Sequence, residues 1–85
     1  NIKSAAKRAR QAKVRTVRNR STLSNLKTLA RKSNAAVAAK DKTAAAAEAR
    51  ELSSKLDRAV KHGTIHRNVA NRRKSALARK LAALS

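Results

Sequence analysis

His62 and His66 stand four positions apart, the spacing at which two imidazoles on one helix face can share a zinc ion. They are the two histidines of an 85-residue chain, and its single glycine, Gly63, falls between them. Glycine readily adopts positive φ and closes helices, and the cationic Lys61 and His62 before it suit a helix C-terminus. The helix should therefore end between the two rings, which removes the shared face. Zinc also needs a third or fourth ligand; the chain has no cysteine, and its four acids, Asp41, Glu48, Glu51 and Asp57, lie elsewhere in sequence. His62 reads as a cap and His66 as a turn residue facing solvent or phosphate, with no metal and no cofactor expected.

Nucleophilic catalysis has no better footing. None of Ser4, Ser21, Ser24 and Ser33 has the sequence context of a nucleophile elbow, and no glycine-rich phosphate loop exists. These serines read as helix surface or caps, with Ser4 the expected cap of the first helix. Neither an enzyme nor a small-molecule substrate is expected.

The cations are the outstanding feature. Lys and Arg number 23 against 4 acids, for a formal net charge of +19. Residues 1–34 hold eleven cations and no acid, residues 35–60 hold five cations with all four acids, and residues 61–85 hold seven cations and no acid. One nearly neutral segment is thus flanked by two cationic ones, and a polyanion is the expected partner. No apolar run approaches membrane-span length, and a membrane surface would call for a large apolar face opposite the basic one, where the N-terminal segment offers alanine. With no Phe, Tyr or Trp to stack on single-stranded bases, folded nucleic acid read mainly through its backbone fits best. Composition leaves RNA and DNA open: a nucleoid-compacting protein satisfies the same electrostatics, and a membrane-active peptide is a weaker third. The chain opens on Asn1 rather than Met, which points to a start trimmed or left out.

The elements that must position these charges are helices. Ala, Glu, Lys, Leu and Arg make up 53 of the 85 residues and there is no proline. At about 100° per residue, Leu23, Leu26, Ala30, Ser33 and Val37 form one stripe. Upstream the same face continues as Ala5, Ala9, Ala12, Thr16 and Asn19, while Lys3, Lys7, Arg8, Arg10, Lys13, Arg15, Arg18 and Arg20 fill most of the remaining circumference, with Val14 and Val17 among them. One helix is expected over about residues 4–39. Asp41 or Thr43 caps a second over about 42–62, with an apolar stripe of Ala45, Ala49, Leu52, Leu56, Ala59 and Val60 and with i,i+4 pairs Glu51 to Lys55 and Asp57 to Lys61. A third, over about 68–84, turns Ala70, Leu77, Leu81 and Leu84 inward and Arg72 and Arg79 outward. Short connections make neighbours antiparallel. The fold class is all-α, a single-domain antiparallel three-helix bundle whose long first helix projects its basic N-terminal half, because the second helix can cover only part of it. Asn68 and Asn71, beside Arg67, Arg72 and Arg73, can add hydrogen bonds to phosphate, sugar or base edges.

Three strings narrow the choice of partner. "NIKSAAKRARQ" at the start, "AAKDKTAAAAEA" in the middle and "KHGTIHRNVANRRKSALARKL" near the end resemble the bacterial small-subunit ribosomal protein twenty family, with matching spacing over essentially the whole chain. The resemblance implies a three-helix bundle with an extended first helix, embedded in the lower body of the small ribosomal subunit and binding its 16S ribosomal RNA early in assembly. Carried over by position, the region of Lys3, Ser4, Lys7 and Arg8 matches the family's N-terminal RNA-binding start. Ile65, His66, Asn68, Arg73, Lys74 and Ser75 match its C-terminal motif. The expected RNA-binding set is then Lys3, Ser4, Lys7, Arg8, Arg10, Lys13, Arg15, Arg18 and Arg20 on the first helix, with His66, Arg67, Asn68, Asn71, Arg72, Arg73 and Lys74 at the corner and third helix. The implied location is the ribosome, in the cytoplasm or, for a plastid source, in the stroma, with no membrane association and no homo-oligomer.

Overall fold

The computed structural model describes residues 2–84, which form three helices in chain order: α1 over Ile2–Ala38, α2 over Lys42–Lys61 and α3 over Arg67–Leu84. The molecule measures 60 × 20 × 13 Å, and its length is essentially that of α1, a 37-residue helix uninterrupted by glycine or proline. Because α1 starts at Ile2, Ser4 lies within its first turn and does not cap it.

Two tight corners reverse the chain. At the first, the Lys40 N–H donates to the Val37 carbonyl (3.0 Å) and the Asp41 N–H to the Ala36 carbonyl (3.1 Å), the paired bonds of a Schellman motif. Lys40 takes the left-handed conformation this requires, at φ 57°, which costs a residue with a Cβ roughly 1–2 kcal/mol. Asp41 then serves the next helix, its carboxylate accepting from the Ala44 N–H at 3.1 Å; of the two expected caps, Asp41 acts and Thr43 sits inside the first turn. At the second corner the pattern recurs: the Gly63 N–H donates to Val60 (3.0 Å) and the Thr64 N–H to Ala59 (2.9 Å), with glycine at φ 74°.

Helix α2 is the central element, packing along both α1 and α3, whereas α1 and α3 approach one another only slightly. The bundle is therefore open on one side. Ala49, Leu52, Leu56 and Ala59 are buried on α2, as its periodicity predicts, against Leu26 and Leu29 of α1 and Ala70 and Leu77 of α3, and Ala45 is buried on the same α2 stripe. The α1 stripe differs from expectation at two positions: Leu29, off the expected stripe, is buried, while Leu23 remains 46% exposed. The contact face of α1 is centred between Leu26 and Leu29, and Leu23 turns instead toward the open seam with α3.

Polar features depart from the sequence reading in three further places. Asp57 pairs with Lys74 of α3 at 2.8 Å and not with Lys61, since antiparallel packing brings an ammonium across the seam; at 60% and 36% exposure this link is worth at most about 1 kcal/mol. No Glu51 to Lys55 ion pair forms among the described residues. Ser33 is 1% exposed, yet its hydroxyl has no hydrogen-bond partner, and an unpaired buried hydroxyl costs about 1–3 kcal/mol.

The same chemical change should therefore have opposite signs at two core positions. Leu56→Ala empties a wholly buried site and should cost about 2–5 kcal/mol, whereas Ser33→Ala deletes the orphaned hydroxyl and should gain about 1 kcal/mol. Urea unfolding followed by circular dichroism measures both.

Candidate nucleic-acid interface

Twenty residues of α2 rise about 30 Å and can lie against only the second half of α1. Residues 2–18 are accordingly all exposed, and Asn19 is the first α1 residue to be partly covered. Val14 and Val17 share that exposure, at 65% and 60%, so no hidden apolar contact holds this segment. Lys3, Lys7, Arg8, Arg10, Lys13, Arg15 and Arg18 thus surround a bare helical rod, and Arg20 is exposed where the rod leaves the bundle.

The second set is organised by the corner after α2. His62 is the C-cap of that helix, with its backbone N–H donating to the Arg58 carbonyl at 3.0 Å. Across Gly63, His66 caps α3: its ring Nδ1 accepts from the Asn68 N–H at 3.0 Å, and its carbonyl accepts from Val69 at 3.0 Å and Ala70 at 3.2 Å. The two imidazoles belong to different helix ends, and no group of three or more His, Cys, Asp or Glu among the described residues is placed to hold a metal. With Nδ1 accepting, a neutral His66 carries its proton on Nε2 and offers it outward as a donor.

One hydrogen bond joins the two sets. Thr64 Oγ1 donates to Asn19 Oδ1 at 3.1 Å, which anchors the corner to α1 beside Arg18 and Arg20. Arg67, Asn68, Asn71, Arg72 and Arg73 are exposed along the start of α3. Lys74 is half-buried and already paired with Asp57, so its charge faces α2 as well as solvent. The far tip of the rod is not brought to this corner: Lys3 lies sixteen positions, about 24 Å, from Asn19 along α1. Two anionic segments, or one long one, are needed to meet both.

The sequence pattern of the family described as Ribosomal protein S20 matches residues 1–82. The small ribosomal subunit protein bS20 of Akkermansia muciniphila is 49% identical over 85 residues, covering 100% of this chain and 98% of that protein. This chain belongs to the ribosomal protein S20 family. Small ribosomal subunit proteins bS20 of Kocuria rhizophila (49% identical, 96% of this chain and 95% of that protein) and Halalkalibacterium halodurans (45%, 100% and 93%) are similar along the same length. Members of the S20 family are structural ribosomal proteins, and the chain is accordingly not an enzyme. The family match runs through both cationic sets, the rod and the corner alike.

Sequence reasoning missed the cations of the α2 C-terminal half. Lys55, Arg58 and His62 line a polar groove between α1 and α2, and their 3,4 spacing was the available signal. In sequence, Lys55 reads as the partner of Glu51 and His62 as a helix cap, while Arg58 carries no signal of its own.

A helix with no tertiary cover and seven neighbouring cations should open readily in the free protein. Amides of residues 6–17 are expected to exchange at least about tenfold faster than those of Leu26, Leu52 and Leu56, as hydrogen exchange read by NMR checks directly.

Proposed function

We propose that the protein is a structural constituent of the small ribosomal subunit that binds 16S ribosomal RNA directly, through its phosphate backbone, and holds separate RNA segments together during assembly. The carrying observation is the bare rod: residues 2–18 are exposed throughout, hold seven cations and no acid, and pack on nothing in the chain itself. Such a rod gains stability when phosphates surround it, because each neutralised phosphate releases condensed counterions. Bacterial relatives named as small ribosomal subunit proteins support the same partner, and with it a place on the ribosome in the bacterial cytoplasm.

The roles divide between the two sets. Lys3, Lys7, Arg8, Arg10, Lys13, Arg15, Arg18 and Arg20 present charge around α1 and suit RNA on several sides. His66, Arg67, Asn68, Asn71, Arg72 and Arg73 present shorter-range donors from the corner and the first turns of α3, suited to phosphate, ribose and base edges of a neighbouring segment. Arginine dominates both sets, and its planar fork grips phosphate in bidentate fashion. The three helices act as one domain, with the bundle half orienting the rod.

Affinity for small-subunit ribosomal RNA should fall steeply with salt. A logarithmic slope near −5 or steeper is expected, and Arg10→Gln/Arg15→Gln/Arg18→Gln should reduce its magnitude by about 2, at roughly 0.7–0.9 per contact. Salt-independent binding would contradict the proposal, and tighter binding to duplex DNA than to structured ribosomal RNA at physiological salt would favour a nucleoid protein instead. Filter binding across a salt series, with both competitors, measures all three.

A further inference from the structure

The cationic rod and the polar α1/α2 groove share one face of α1. At about 100° per residue, Lys3, Lys7, Arg10, Val14, Arg18, Ser21, Asn25 and Thr28 fall on a single stripe, separated by steps of three and four. Its first part lies on bare helix, where a shallow groove runs past Arg10, Val14 and Arg18. Its second part enters the groove of about 560 Å³ between α1 and α2. There α1 stops supplying charge and carries hydroxyls and an amide, while Lys55, Arg58 and His62 of α2 stand across from them. The cations change helix, but the positive track continues.

The groove fits a sugar–phosphate strand better than any ligand of other chemistry. No acidic side chain lines it, and Lys55, Arg58 and His62 have no ion-pair partner among the described residues. Thr28 Oγ1 donates to the Ser24 carbonyl at 3.1 Å, so its hydroxyl proton is already used and its oxygen offers lone pairs alone. A phosphate oxygen has no use for such a group, whereas a ribose 2′-hydroxyl can donate to it. Ser21 and Asn25 retain donors for phosphate. Cations on one wall and a mixed donor and acceptor row on the other match the alternation of phosphate and ribose along an RNA backbone.

We infer that one RNA backbone follows this stripe of α1 from Lys3 to Thr28, about 38 Å, and passes into the α1/α2 groove, where Lys55, Arg58 and His62 bind its phosphates. The inference rests on the RNA-binding reading and extends it to a surface on the opposite side of α1 from Lys27 and Asn34, which line the seam facing α3.

Hydroxyl-radical footprinting on small-subunit ribosomal RNA tests it with the full-length protein. Lys55→Gln/Arg58→Gln keeps good helix formers and should lose protection over one stretch of backbone, contiguous with that protected by the rod, while the salt slope weakens by about 1.5. Asn25→Leu, which fills the groove without touching charge, should lose protection over the same stretch. Lys27→Gln, across the helix, should leave that stretch protected, and circular dichroism should show all three variants folded as the parent. Unchanged protection in both groove variants, or equal loss of that stretch in Lys27→Gln, overturns the groove assignment while RNA binding stands. A parent protein that protects no ribosomal RNA overturns the RNA-binding reading itself, and this inference with it.

Discussion

Packing of both outer helices on the alanine and leucine face of α2 is the constraint from which the remaining geometry follows. Leu56 is fully buried, and Ala45, Ala49 and Ala59 are buried along the same helix. A core of this size is small, with Leu26, Leu29, Leu52, Leu56 and Leu77 its large members. It can order only the stretch of α1 that α2 reaches. The length of α2 thereby sets where the rod begins, near Asn19, and how much cationic helix is left for a partner.

Charge distribution cooperates with this core. The four acids lie at or within α2, the element in contact with both others, and none falls in the rod. Asp41 closes the first corner as an N-cap and Asp57 links to α3 through Lys74. The rod is left with unrelieved like charge, which weakens it alone and favours it in a field of phosphates. Stability of the bundle and readiness of the rod thus have separate sources, apolar burial for the one and a polyanion for the other.

The two corners show how far local sequence speaks for itself. Gly63 and the cationic residues before it announced a helix end, and the Schellman bonds there follow from the conformational freedom of glycine. The first corner has the same bonding with Lys40 in the left-handed position, where residue type carried no such signal. Asp41 was legible as a cap because its carboxylate can reach the N–H three residues on. His66 was not, because imidazole is an uncommon cap and its role depends on which ring nitrogen accepts.

Residue by residue, the sequence by itself determined three helices, the α2 stripe, the exposure of Val14 and Val17 and the cationic surround of α1. These depend on periodicity, propensity and charge, which act within a few residues along the chain. Tertiary structure alone decided which groups face one another across helices: Asp57 chose Lys74, Thr64 found Asn19, Leu29 entered the core while Leu23 was left at an open seam, and Lys55, Arg58 and His62 came to line a groove with Ser21 and Asn25. Those outcomes follow from the register and roll of helices about their axes. A rotation of a few tens of degrees exchanges one neighbour for another without altering the helical pattern, so the pattern could not announce them.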